Sequence, residues 1–179
     1  MTEYRRATVA GGTYFFTLNC LLRQHNHLLT DHIDTLRNAF QYVKQKHPFD
    51  MPAVVILPDH LHCIWQLPDG DMDYKTRWSL VKSHFSRSIP MGEQRSLSRL
   101  KRGERGIWQR RYWEHLIRDE MDYAHHTDYI HWNPVKHGWV PRVSDWPYSS
   151  FHRHVEKGVY LIDWAGSSSE EMETGEAHE

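Results

Sequence analysis

His60-Leu61-His62 lies within the largely apolar run from Val54 to Trp65. If that run is a strand, both imidazoles fall on one face, because successive strand side chains point to opposite sides. At a rise of about 3.3 Å per residue the two backbones sit roughly 6.6 Å apart, close enough for the rings to share one cation. Leu61 and Cys63 then turn the other way, into a core. In a chain with 15 histidines, His-x-His alone is more often a solvated face than a ligand pair, so the rest of the chain has to decide.

A second reactive group stands far along the chain. Tyr129 and Asn133 are four residues apart and share one helical face, on an element able to pack beside the His60/His62 strand. Breaking a phosphodiester with a side-chain hydroxyl needs an attacking oxygen, a cation to neutralise the phosphate, and positioning of both. A phenol with a pKa near 10 is ionised in about one molecule per thousand at pH 7, so activation must supply roughly 4 kcal/mol. The same phenolate leaves readily, which makes the covalent step reversible and suits cutting and rejoining. Tyr123, six residues earlier, lies about 240° around the helix, so only one of the two tyrosines can face a metal. His125 and His126 read as solvated helix residues rather than as bases.

The elements that must hold these groups can be read in order. Alternation after Gly11-Gly12 predicts a strand over Thr13 to Cys20. A helix follows from about Asp31 to Lys46, capped by Thr30 or Asp31, with Ile33, Leu36, Phe40 and Val43 as its core stripe. Two strands, Ala53 to Leu57 and His60 to Leu67, meet at Pro58-Asp59, and Pro68-Asp69-Gly70-Asp71 ends the second. A helix over Tyr74 to Arg87 lines up Trp78, Val81 and Phe85, and a basic loop region runs from Ile89 to Arg105. A strand over Tyr112 to Ile117 then precedes a helix from about Glu120 to Trp132, begun at Asp119 and stopped by Asn133-Pro134. This order implies an α+β fold of the split βαβ or ferredoxin-like kind, an antiparallel sheet with helices on one face and the other face free for a site.

With 179 residues the chain reads as one domain over 1–166, with a C-terminal extension from about 134 and an acidic, disordered tail over 167–179. Cys20 and Cys63 lack metal-site spacing and read as buried free thiols of a reducing compartment. No apolar stretch reaches about 18 residues and the N-terminus lacks a signal-peptide core, so a soluble, cytoplasmic protein without a membrane partner is expected. The net charge of −1 conceals a polycation, since Lys75 to Arg118 carries twelve Lys or Arg against Glu93, Glu104 and Glu114. Such clustering marks a polyanion partner. Arginines interleaved with aromatics, as in Trp108-Gln109-Arg110-Arg111-Tyr112-Trp113, suit stacked bases and neutralised phosphates. Arg5, Arg6, Lys75, Arg77, Lys82, Arg110 and Arg111 are the candidate phosphate contacts.

His60-Leu61-His62, Tyr129 within Asp128-Tyr129-Ile130, and the run from Asn133-Pro134-Val135-Lys136-His137-Gly138 to Val140 together resemble the REP-associated tyrosine transposases, a branch of the IS200/IS605-like single-tyrosine HUH transposases. The resemblance extends from Tyr4 to Phe151, through Trp108 to His115 and Ser144 to Ser150, and leaves out little but the tail. It implies an HUH nuclease fold and a metal-dependent endonuclease and strand transferase acting on single-stranded repetitive extragenic palindromes folded as hairpins. Tyr129 would bond to the 5′ phosphate and leave a free 3′ hydroxyl. His60 and His62 would hold Mg²⁺ or Mn²⁺, and the cell's nucleoid would be the place of action. The broader family often supplies a third ligand as Gln four residues after the tyrosine. Here that position is Asn133, with shorter reach and a proline behind it, so helix capping competes with a ligand role, and His137 is a further candidate. Two other readings stay open: a hairpin-binding regulator that does not cut, and a replication or relaxase nickase. Whether the chain works as a monomer or a homodimer is likewise open.

Overall fold

The computed structural model describes residues 8–166 and Thr174. Its frame is a four-stranded antiparallel sheet in the order β2-β3-β1-β4, formed by β1 (Thr13–Asn19), β2 (Asp50–Ile56), β3 (His60–Gln66) and β4 (Trp113–Leu116). The β1 to β2 connection carries α1 (Leu28–Asp31) and α2 (Ile33–Lys46), and β3 to β4 carries α3 (Tyr74–Ser88) and α4 (Leu97–Lys101). With β3 lying between β1 and β2, this is the split βαβ arrangement expected from the order of elements. After β4 come α5 (Glu120–Lys136), a short 3₁₀ turn at Val143–Asp145 and α6 (Phe151–Glu156).

Alternation along the strands sorts the side chains into two layers. Tyr14, Phe16, Leu18, Leu61, Cys63 and Trp65 point to one face, where α2 and α3 bring Leu36, Phe40, Val43, Trp78, Val81 and Phe85 against them. Phe15, Ala53, Val55 and Ile64 point to the other, and there α5 packs with Tyr129 and Ile130. The face left bare by α2 and α3 is thus the one that α5 approaches. Both cysteines are buried free thiols. Among the described residues, no helix is long and apolar enough to cross a membrane.

Four local expectations need correcting. The second helix begins at Ile33 after a separate turn at Leu28–Asp31, and neither Thr30 nor Asp31 caps it; the Thr30 hydroxyl donates instead to the His27 carbonyl. Strand β2 starts at Asp50 and runs through Pro52, which an edge strand with a register shift between Asp50 and Ala53 tolerates. The basic loop contains α4, capped by the Ser96 hydroxyl. Most consequentially, α5 does not stop at Asn133-Pro134 but continues to Lys136. A proline in the last turn forfeits one backbone bond. The helix end is then secured by His137 N–H donating to Asn133 O and Trp139 N–H to Pro134 O, with Gly138 taking φ +69°.

The acidic stretch 167–179 lies outside the described residues apart from Thr174, and so do Arg5 and Arg6.

Candidate active site

The His pair sits where the strand places it. His60 and His62 are 1% and 0% exposed, with ring centroids 5.1 Å apart and nearly perpendicular planes. Their supports come from three elements. His60 Nδ1 lies 2.7 Å from the Asp59 carboxylate, and Arg23 Nε donates to the other oxygen of that carboxylate at 2.8 Å. Burial would raise the Asp59 pKa, but hydrogen bonds from His60 and Arg23, with the charge of the guanidinium, hold it at about 2. An ionised carboxylate accepts, so His60 carries its proton on Nδ1 and its lone pair on Nε2.

The same conclusion follows for His62 by counting protons. Thr17 Oγ1 lies 2.7 Å from His62 Nδ1 and 2.5 Å from the Thr174 carbonyl. A hydroxyl has one proton, and the carbonyl can only accept it. Thr17 therefore accepts from His62 Nδ1–H, which leaves the lone pair of His62 on Nε2. Two buried imidazoles tautomerically set with Nε2 as the donor atom fit a divalent cation.

Tyr129 reaches this pair. It is 6% exposed, with its ring 5.3 Å from that of His62 and edge-on to it. Lys136 Nζ donates to the phenolic oxygen at 2.9 Å and stands 4.7 Å from the ring centre. The phenol in turn donates to Thr174 Oγ1 at 2.9 Å. The continuation of α5 past Pro134 makes this possible, since Lys136 is seven residues, or two turns, beyond Tyr129. It also sets His137 as the helix cap, with its ring 5.2 Å from that of His60. Asn133 is fully buried and helical, on the face of α5 that carries Tyr129. Tyr123 lies elsewhere, lining a cavity of about 720 Å³ with Asp128, Arg153 and Tyr160.

Of the remaining candidates, Lys75, Lys82 and Arg110 border a groove of about 590 Å³ together with Arg87, Trp78 and Tyr112. Lys82 Nζ donates to the Gln109 carbonyl, and Arg110 pairs with Glu104. Arg111 is exposed just before β4. Arg77 does not belong to this set: it is 3% exposed, and its guanidinium is engaged by Asp71 and by the carbonyls of His47, Pro48 and Asp73. Arg105 is likewise tied to Glu93 and to the carbonyls of Ser86, Ile89 and Pro90. Part of the polycation is thus internal mortar. His126, expected in solvent, is 4% exposed, whereas His125 is exposed.

Lys136, Asp59, Thr17, Arg23 and Thr174 escaped the reading of the sequence. Lys136 carried a usable signal, the spacing of seven from Tyr129, hidden by the assumption that the proline ended the helix. Asp59 adjoins His60 but reads equally as a turn residue. Thr17 is a cross-strand partner of His62, which only the register reveals.

No protein-family model matches this chain. It is 50% identical to a REP-associated tyrosine transposase of Escherichia coli K12 over 166 residues, 93% of this chain and 92% of that one. It is 48% identical over 168 residues to a putative REP-associated tyrosine transposase of Haemophilus influenzae KW20/Rd, covering 93% and 95% of the two chains. A solved structure of a REP-associated tyrosine transposase bound to a REP hairpin superposes with a TM-score of 0.84 at 46% identity, over the whole of both chains. On identities of this size across nearly its full length, the chain belongs to the REP-associated tyrosine transposase family.

Proposed function

We propose that the protein binds hairpins of repetitive extragenic palindromes in single-stranded DNA and cleaves beside them through a covalent 5′-phosphotyrosine at Tyr129. The observation that carries this reading is the meeting of three groups from distant parts of the chain: the Tyr129 phenol, the Lys136 ammonium on its oxygen, and the His60/His62 pair beside it. The related transposase whose structure holds a REP hairpin supports the choice of substrate.

His60 and His62, with Asn133 and His137 next in order, would hold Mg²⁺ or Mn²⁺. When bound, such a cation neutralises charge on the scissile phosphate. Harder ions are favoured because an amide oxygen, phosphate oxygens and water would join the imidazoles. The chain's own groups do the rest. Asp59 and Thr17 fix both rings with Nε2 as the donor atom. Lys136 offsets part of the roughly 4 kcal/mol needed to expose a phenolate at pH 7, because a charge-assisted hydrogen bond strengthens as the oxygen ionises. The Tyr129 oxygen attacks phosphorus, the new phosphotyrosine ester forms, and the bond from phosphorus to the 3′ oxygen breaks. That oxygen leaves with a proton as a free 3′ hydroxyl. Reversal onto another end rejoins strands without a high-energy cofactor.

The test is a labelled REP hairpin oligonucleotide incubated with Mn²⁺ and resolved for a protein-DNA adduct. Tyr129→Phe should abolish the adduct and Tyr123→Phe should keep it; the opposite pattern would overturn the assignment. A second reading, a regulator that binds hairpins without cutting, is favoured by the contact of Thr174 with the phenol. Adduct formation by the full-length chain decides against it.

A further inference from the structure

One face of α5 is unusual. Asp122, His126, Tyr129, Asn133 and Lys136 recur at intervals of three and four, so a single stripe carries polar groups from the first turn to the last. The C-terminal half of the stripe belongs to the site above. The N-terminal half makes a second constellation with β4, where His115 is the register partner of Phe15 on the face that α5 covers. His115 Nε2 lies 2.9 Å from one oxygen of Asp122, and His126 Nδ1 lies 3.0 Å from the other. The two imidazoles stack at 4.6 Å with planes 16° apart, and ligand atoms of all three residues fall within 4.8 Å of one another.

We propose that His115, Asp122 and His126 form a second metal site, for Zn²⁺, which pins β4 to the first turns of α5. Two imidazole nitrogens and one carboxylate oxygen match zinc, whereas a hard cation would ask for more oxygens. His126 Nδ1 lies 2.8 Å from the Asp122 carbonyl, which can only accept, so without metal Nδ1 carries the ring proton; metal binding at Nδ1 moves that proton to Nε2 and gives up this hydrogen bond. The Arg118 N–H and Nε, donating to the Asp122 carboxylate, are the outer support such ligands usually have. His115 has 26% of its side chain exposed, so water reaches the fourth position.

The site is one ring removed from the Tyr129 site. Phe15 packs on His126 at 4.7 Å and on His62 at 5.6 Å. Zinc bound here fixes the register of α5 on the sheet and with it the reach of Tyr129. Its presence does not depend on the cleavage reading.

Zinc content of the full-length protein, dialysed against Zn²⁺ and then against metal-free buffer, gives the test. Wild type should hold one equivalent more than His115→Gln, whose partly exposed position permits folding, while His60→Ala keeps that equivalent. Asp122→Asn should weaken zinc binding by at least about tenfold, the scale that even outer-support losses reach. Co²⁺ in place of zinc should give the visible bands of a tetrahedral site in wild type and in His60→Ala. Equal zinc in wild type and His115→Gln, or absence of those bands from the wild-type protein, would overturn the proposal and leave the cluster a hydrogen-bonded pin.

Discussion

The two faces of the sheet are made by the same strands and do opposite work. Beneath α2 and α3, β1 and β3 present Tyr14, Phe16, Leu18, Leu61, Cys63 and Trp65, and the Trp65 and Trp78 rings stack at 3.9 Å. Beneath α5 the same strands present Thr17, Asn19, His60 and His62, all at most 6% exposed and each polar. A one-residue shift of register would exchange these sets. The apolar layer stabilises, and its depth lets the other layer bury polar groups that contribute little net stability. Substitutions should therefore separate cleanly, with losses of stability under α3 and losses of chemistry under α5.

The largest effect expected is at Trp78. Trp78→Ala removes a fully buried ring from the aromatic stack and should cost about 3–5 kcal/mol, read from the denaturant midpoint. Hairpin binding per folded molecule should be unchanged. A loss of affinity without loss of stability would show that the division between the faces is wrong, and would assign Trp78 to the groove it borders.

Lys136 comes next. Lys136→Met takes one preorganised donor from the phenolic oxygen, a loss worth about 10²–10³ in rate. Single-turnover adduct formation should fall by that factor while the midpoint of unfolding moves little, because Lys136 is on the exposed end of α5. Lys136→Arg should recover part of the rate. Equal rates for Met and the native residue would remove Lys136 from the reaction.

The sequence made the two faces unequally legible, and the reason is periodicity. Strand alternation in Thr13 to Cys20 and the stripe of Trp78, Val81 and Phe85 come from apolar side chains meeting apolar neighbours, so the helices on that face were readable to within a residue or two. On the other face, α5 turns His126, Tyr129 and Asn133 inward, and a buried polar stripe looks like a solvated one until the partner strand is known. The His60/His62 pair and Tyr129 were legible from residue type and spacing. Thr17, Arg23 and the Asp59 contact were not, because they depend on register and on a loop folding back. Arg77 misled for the converse reason: charge in sequence does not say whether the group ends in a groove or among carbonyls.

Polar burial behind α5 should appear as sensitivity to acid. His131 is fully buried, and its pKa is pushed down to about 3 by burial, with His154 and Arg153 adding to the effect. Ser150 Oγ donates to the Val54 carbonyl, so it accepts from His131 Nε2–H and the ring is neutral. The unfolded chain takes up a proton at this residue below about pH 6.5 and the folded chain does not, so stability is complete above that pH and declines as pH falls toward 3. At pH 5 the loss from this residue should be about 2 kcal/mol. Between pH 7 and pH 5, denaturant titrations should show stability falling by about 2 kcal/mol less in His131→Gln than in wild type. A residue on the apolar face, such as Phe85, has no proton to gain and should give no such difference.

The smallest effect concerns Thr174, which touches only the polar face. Its carbonyl accepts from Thr17 and its hydroxyl accepts from Tyr129, so a phosphate approaching the phenol must displace it. Two hydrogen bonds at about 1 kcal/mol each set the scale, against which the incoming phosphate regains part in its own contacts. Deleting residues 167–179 should therefore speed adduct formation by about tenfold, the rate equivalent of 1.4 kcal/mol. The acidic charge of the same stretch adds a separable contribution, since its removal should tighten hairpin binding at low salt and less so at high salt. Thr174→Val keeps that charge while removing the hydroxyl, so a rate gain in Thr174→Val with unchanged salt dependence would assign the effect to the contact at the phenol. A gain confined to the deletion would assign it to charge, and the polar face would then owe its control to the long-range field rather than to the two hydrogen bonds that cross it.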